Sequence, residues 1–174
     1  MNSNGNFILL TVDGSDFWIN EPFPFNRMWW SHKFNGPGLR YEIGMRTQTG
    51  WIVWVNGPYP AGQWPDLRIA RGSLHQLLDA GERCVADGGY RDSHGPAITP
   101  TGRHEHVDRM KAHARARHET VNGRFKSWGM LTQQYLHPLV KHGRVMHSIA
   151  TITQIMIANG EKHLGCGLRR FGLI

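Results

Sequence analysis

The spacing of apolar positions divides the chain into a strand-rich first half and a helical second half. Residues 7–12 (FILLTV) form a short apolar, β-prone run closed by Asp13-Gly14, and residues 17–19 predict a second strand across that turn. On this pattern a hairpin or strand-edge turn presents Asp13. Residues 20–38 are rich in Pro, Gly and aromatic side chains and predict a structured loop, after which 39–47 and 51–55 are expected as strands joined near Thr49-Gly50. Beyond Pro65 the positions Leu67, Ala70, Leu74, Leu77 and Leu78 recur at helical spacing, predicting one amphipathic helix with Pro65 in its first turn and Gly81 at its end. Residues 83–86 (RCVA) predict a short buried strand ending at Asp87-Gly88-Gly89, before a loop containing Pro96 and Pro100.

A long helix is predicted from about residue 107 to 128. A second, mostly apolar helix is predicted from about 139 to 158 and is ended by Asn159-Gly160. On the wheel of the first, Met110, Ala114, Val121, Phe125 and Trp128 make a core stripe, while Ala112, Ala116, Glu119 and Gly123 fall close together on roughly the opposite side. Small side chains there would let the helix backbone approach another element closely, or equally would serve helix–helix packing.

Length changes this picture little. At 174 residues, with seven Trp and seven Phe, the chain predicts one domain over residues 1–160 and a frayed C-terminal tail over 161–174. No apolar run approaches the roughly 18–20 residues that span a bilayer, and the start lacks a basic segment before its apolar run, so a soluble intracellular protein with no membrane partner is expected. The first strand is expected to begin almost at residue 1, so no separate DNA-reading domain is expected ahead of it in this sequence. Cys84 and Cys166 are far apart and lack metal-ligand spacing, which argues against a disulfide framework and against zinc; Cys84 is expected to be buried in a strand.

Charge changes it more. Residues 1–102 hold 8 Lys/Arg against 9 Asp/Glu and residues 103–174 hold 12 against 4, so the halves carry −1 and +8 of the net +7. A polyanion is the natural partner of the basic half, since Lys and Arg neutralise phosphates and release counterions; a basic domain without such a partner is the alternative.

The acids follow an order: Asp13 after the first strand, Asp66 opening a helix, Asp87 after a later strand, and Glu119 within the long helix. Asp and Glu are hard oxygen ligands suited to Mg²⁺ or Mn²⁺, and two such ions about 3.5–4 Å apart activate a water and stabilise the leaving oxygen in phosphodiester cleavage. Taken singly each acid has a plainer role: Asp13 and Asp87 as turn formers, Asp66 as a helix-start residue, Glu119 as an ion-pair partner on a solvated face. Glu119 stands out because it is the only acid between Asp108 and Glu161, among Arg109, Lys111, Arg115, Arg117, Arg124 and Lys126.

At these residues the chain resembles the DDE superfamily endonuclease domain of Harbinger-type and related transposases. The resemblance runs through V-D-G-S-D-F (12–17), S-H-K-F-N-G-P-G-L-R-Y-E-I (31–43), W-I-V-W-V-N-G-P-Y-P-A-G-Q-W-P-D-L-R-I-A-R (51–71), A-D-G-G-Y-R-D (86–92) and R-A-R-H-E-T-V-N-G-R-F-K (115–126), covering about residues 8–158. The 53 residues from Asp13 to Asp66 and the 32 from Asp87 to Glu119 suit it. It implies a ribonuclease H-like α/β fold, a mixed central sheet flanked by helices, with the first acid on the first strand and the glutamate on a late helix. It also implies a metal-dependent DNA endonuclease or transposase core with Asp13, Asp87 and Glu119 as the catalytic triad. Those three acids and Asp66, an additional or alternative second acid, would bind Mg²⁺ or Mn²⁺. Hydrolysis of a DNA phosphodiester and then attack of the freed 3′-hydroxyl on target DNA would follow, and the family places the protein in the nucleus. Asp16 departs from the commonest form, in which many relatives have a histidine, and is given a supporting role only.

Around the acids, Lys33, Arg115, Arg117, Arg124 and Lys126 are expected to bind the DNA backbone, and Trp29, Trp30, His32 and Lys33 make an aromatic-basic cluster that either stacks on bases or lids the core. His104, His106, His113 and His118 are expected at the surface or facing DNA rather than in a zinc site. DNA, a separate DNA-binding companion protein and a second copy of the chain are the partners this scheme admits. The competing scheme is a non-catalytic, domesticated DNA- or partner-binding protein derived from a transposase.

Overall fold

The first strand does not turn at Asp13-Gly14. In the computed structural model, which describes residues 7–99 and 105–160 apart from the side chains at 7, 105–108, 110, 111 and 113–115, β1 (Phe7–Trp18) runs unbroken through both residues. The turn signal of Asp-Gly is overridden by pairing along a neighbour, β3 (Gly36–Arg46), antiparallel from Leu10↔Arg46 to Trp18↔Gly38. Asp13 faces Ile43 and Gly14 faces Glu42 within this ladder. Phe17 belongs to the same strand, and Ile19, just past its end, donates to the Pro37 carbonyl and makes an isolated bridge to Tyr135.

The Pro- and aromatic-rich stretch forms a one-turn 3₁₀ segment (Arg27–Trp29), whose Met28 N–H donates to the Asn26 side chain, and then the two-residue β2 (Trp30–Ser31). β2 pairs with the start of β3 through a tight connection in which Asn35 takes a left-handed φ of 52°. β4 (Ile52–Pro60) returns antiparallel to β3, and β5 (Glu82–Val85) and β6 (Ala97–Ile98) add on the other side of β1 as parallel strands. The result is a mixed α/β arrangement with a six-stranded mixed sheet, β4 and β2 both pairing β3, then β1, β5 and β6 in order.

The helix expected beyond Pro65 divides in two, α1 (Asp66–Gly72) and α2 (Leu74–Leu77). Ser73 breaks it. Its hydroxyl donates to the Ile69 carbonyl at 2.7 Å and accepts from Asn56 Nδ2 at 2.8 Å, so a side chain takes over a backbone acceptor and ties the break to β4. Helix α3 (Glu105–Phe125) and α5 (His142–Ala158) match the predicted long helices closely, with the short α4 (Gly129–Thr132) between them. The expected tail, 161–174, lies outside the described residues.

Strand pleating sends alternate side chains into two cores. Phe17, Leu39, Tyr41, Ile43 and Met45 pack with Val121 and Phe125 of α3, Leu131 of α4 and Met146, Ile149 and Ala150 of α5. Leu10 and Val12 pack with Ala70, Leu74, Cys84, Ala86 and Tyr90 around α1 and α2. Helices therefore cover both faces, and β1 and β3 are buried between them. Cys84 is buried in β5 as expected. On α3 the core stripe holds at Val121, Phe125 and the half-buried Trp128, while the side chains of Met110 and Ala114 lie outside the described residues. On the small-residue face Ala112, Ala116 and Glu119 are exposed and Gly123 is half-buried; close packing falls to His118, Val121, Asn122 and Phe125.

Candidate active site

β1 and β5 are paired through Thr11↔Val85 and then part. Asp13 lies two residues past Thr11, and Asp87 lies two residues past Val85. The two acids thus occupy equivalent positions just beyond the end of a parallel ladder, at the carboxyl end where open α/β sheets present ligand sites. Asp87 caps a one-turn 3₁₀ segment (Gly88–Tyr90), its Oδ1 accepting from Gly89 N at 2.8 Å, so the turn-forming role expected of it coexists with its place in the crevice.

Asp66 enters from the other side, at the first position of α1. A Cβ built on Gly14 would stand 2.1 Å from Asp66 Oδ1, and one on Gly89 would stand 3.1 Å from Asp66 Oδ2. The carboxylate therefore passes over bare backbone at both crevice walls, and these two glycines are needed for space. Gly14→Ala is expected to displace Asp66 and cost about 1–3 kcal/mol by overpacking. Gly72→Ala is the control, because a Cβ there meets nothing within 4 Å. Equal thermal stability of the two variants would remove the steric argument.

Helix α3 is fixed on either side of Asp13. His118 Nε2 lies 3.0 Å from Thr11 Oγ1, and Ser15 Oγ donates to Asn122 Oδ1 at 2.7 Å; Thr11, Asp13 and Ser15 share one face of β1. Glu119 sits in the helical turn between these anchors and is exposed. His118 is only 4% exposed, contrary to the surface placement expected of it, with Thr11 Oγ1 pairing its Nε2. His104 and the side chains of His106 and His113 lie outside the described residues.

Beneath the crevice, Asp16 and Arg40 form an ion pair with the carboxylate fully buried. Arg40 donates from Nε to Oδ1 at 2.7 Å and from Nη2 to Oδ2 at 2.9 Å, and Ser31 Oγ donates to Oδ2 at 2.6 Å. Burial works to raise the Asp16 carboxyl, yet the hydrogen bonds from Arg40 and Ser31 and the charges of Arg40 and Lys33 hold it below the usual range. The third arm of the same guanidinium, Nη1, donates to the Trp64 carbonyl at 3.2 Å and stands 3.4 Å from Asp66 Oδ1. Asp16 is thereby linked to Asp66 through Arg40.

The electrostatics are those of crowded acids. Burial, together with the charges of Asp87 and Asp66 and against the pull of Lys33, pushes the Asp13 carboxyl up to about 6. Burial also raises Asp66, opposed by Arg40 and Lys33 and aided by Asp87 and Asp16. Glu42, fully buried on β3, is pushed up to about 7 by burial with Asp66 nearby, although Trp54 Nε1 donates to its Oε2 at 2.8 Å. Tyr90, also fully buried, is raised well above its usual range by burial and by Asp66, Glu42, Asp13 and Asp87 around it. Among the described residues Asp66 Oδ1 is buried with no hydrogen bond, only the 3.4 Å ion pair to Arg40, while Asn56 and Tyr90 beside Glu42 act to lower its carboxyl.

Hard oxygen donors held close enough to repel one another suit a divalent cation such as Mg²⁺ or Mn²⁺. Among the described residues, no three His, Cys, Asp or Glu side chains are drawn tightly enough to close around an ion.

Of the expected DNA-contacting residues, Lys33 is exposed and donates to the Gly14 carbonyl, which puts it at the acids themselves. Arg117 donates to the Thr47 carbonyl at the far end of the β3 ladder, Arg124 is half-buried and Lys126, just past the end of α3, is exposed, so these three are spread out rather than gathered at the acids. The Arg115 side chain lies outside the described residues. Trp29 and Trp30 are half-buried, Trp29 packing on the larger core and Trp30 meeting Phe25 edge-on, which favours the lid role for the pair.

Arg40, Glu42 and Tyr90 were not singled out by pattern. A signal for the first two existed: charged residues at 40 and 42 alternate with Leu39, Tyr41 and Ile43, which is how a strand buried on both faces carries a polar network. No helix among the described residues is long and apolar enough to cross a membrane. Compared with family models, curated proteins and solved structures, the chain matches none.

Proposed function

We propose that this chain is the catalytic core of a metal-dependent DNA strand-cutting enzyme of the DDE kind, with Asp13, Asp87 and Glu119 as its triad and Asp66 as a fourth ligand. The observation that carries the reading is the parting of β1 and β5, which leaves Asp13 and Asp87 in equivalent positions while Asp66 reaches the same crevice over Gly14. The sheet supports it as well: three antiparallel strands followed by two parallel ones, in the order β4-β3-β1-β5-β6, is the arrangement expected of a ribonuclease H-like fold.

In this reading the four carboxylates hold Mg²⁺ or Mn²⁺, which when bound supplies an activated water and neutralises the leaving oxygen. The remaining work belongs to the chain. Arg40 fixes Asp66, the anchors at Thr11 and Ser15 fix the turn that carries Glu119, and Arg115, Arg117 and Arg124 on α3, with Lys126 just past its end, take the phosphate backbone of DNA. Nuclear residence and a companion DNA-binding protein belong to the same proposal.

The test is nicking of supercoiled plasmid by the purified chain in Mg²⁺ or Mn²⁺. Activity is expected in the wild type and not in Asp13→Asn or Glu119→Gln. Nicking that survives both substitutions overturns the site. Salt-sensitive DNA binding with no cleavage in either metal points instead to the non-catalytic, domesticated protein.

A further inference from the structure

Among the described residues expected to contact DNA, Lys33 is the one whose side chain bonds the backbone beside Asp13. The β2–β3 connection carries it there: Ser31↔Gly36 closes the hairpin, Asn35 makes the left-handed turn, and the Lys33 backbone N–H donates to Ser31 Oγ at 3.1 Å. Ser31 in turn donates to Asp16, so the hairpin is tied to the buried ion pair below the crevice. From this base the exposed Lys33 side chain crosses to β1 and donates from Nζ to the Gly14 carbonyl. Gly14 follows Asp13 directly and lies under the Asp66 carboxylate. The ammonium is close enough to favour the ionised form of Asp13, Asp66 and Asp16 together.

Resting on the metal-site reading above, we propose that Lys33 is a built-in counter-cation of the acidic crevice, holding its carboxylates together without metal and giving up its place when a divalent cation is bound. Two features favour this over a purely structural lysine. The contact is to a single backbone carbonyl from a residue that is itself exposed, and it can be surrendered without stranding a buried charge. Arg40, by contrast, is locked by three acceptors and cannot move. Once displaced, the Lys33 ammonium remains at the mouth of the crevice, where it would meet a phosphate of the bound strand.

The proposal is tested on the full chain without DNA, by titrating Mn²⁺ into wild type, Lys33→Met and Lys141→Met and following binding by calorimetry or by the resonance of free Mn²⁺. Lys141 is exposed, and its replacement removes the same net charge elsewhere. Lys33→Met is expected to bind Mn²⁺ roughly tenfold more tightly than wild type, through loss of one nearby positive charge, with Lys141→Met unchanged. It is also expected to melt lower than wild type without metal and to gain more from Mn²⁺. Unchanged or weaker Mn²⁺ affinity in Lys33→Met overturns the counter-cation role, as does a melting loss that is the same with and without Mn²⁺. If wild type binds Mn²⁺ and Asp13→Asn abolishes it, that failure belongs to Lys33 alone. If wild type binds no Mn²⁺ at millimolar concentration, the metal-site reading falls and the role of Lys33 falls with it.

Discussion

Replacing Arg40 with Met is expected to destabilise the fold by about 3–5 kcal/mol, the range for breaking a buried ion pair by removing one partner. The reason is what remains. Asp16 is fully buried, and without the guanidinium its carboxylate keeps only the Ser31 hydroxyl. Arg40→Lys should recover little, because an ammonium cannot donate in parallel to both carboxylate oxygens and also reach the Trp64 carbonyl. Asp16→Asn combined with Arg40→Met should be less damaging than Arg40→Met alone, since no buried charge is then left uncompensated. Urea unfolding of the four proteins checks this. A single Arg40→Met variant as stable as wild type would mean that the pair does not hold the fold.

The second large effect is a pH dependence set by Glu42. Its carboxyl is held at about 7 in the fold against an ordinary 4.5, so between these values the folded chain binds more protons than the unfolded chain. Stability from this group therefore falls as pH rises: the penalty is absent below about 4.5 and complete above about 7. At about 1.4 kcal/mol per pH unit the full penalty is about 3 kcal/mol. Asp13, held at about 6, acts with the same sign over a lower window. His118 and His142, both buried and held at about 4 against 6.5, act oppositely, costing stability as pH falls through that range. In wild type the opposing groups flatten the profile below pH 6, so a difference measurement is needed. Glu42→Gln should gain on wild type by about 2–3 kcal/mol between pH 5 and pH 8. A difference that stays constant across that range would show that Glu42 is not the group responsible.

Element positions were read well where burial on one face writes a clear period. Helices α3 and α5, β5 and the β3–β4 pair fall where spacing put them, because each turns an apolar stripe or row to a core. The failures have a common physical origin in tertiary contacts that override local preference. Asp13-Gly14 is a turn by composition and a mid-strand pair by position, because the ladder to β3 supplies the hydrogen bonds that a turn would otherwise make. Ser73 divides a continuous helical pattern because Asn56, 17 positions away, holds its hydroxyl. The candidate acids were visible as residue types in order, but the partners that shape them were not. Arg40 and Glu42 lie on a strand whose opposite face is wholly apolar, and that they share a side with Asp16 and Asp66 follows from register, not from spacing along the chain. Lys33 was visible as a basic residue beside aromatics, and only the hairpin geometry brings it to Gly14.

The parting of β1 and β5 places an unusual constraint on how this protein can change through time. Two residues separate Thr11 from Asp13 and two separate Val85 from Asp87, and each strand residue advances the chain by about 3.3 Å and reverses the direction of its side chain. Val12 and Ala86 can therefore be exchanged for other apolar residues of similar size with modest effect. Inserting or deleting a single residue in either interval turns one carboxylate to the opposite face, while every other residue keeps its identity. Across these two short stretches it is length that selection must preserve, and descendants that drift far in composition should still carry the same count.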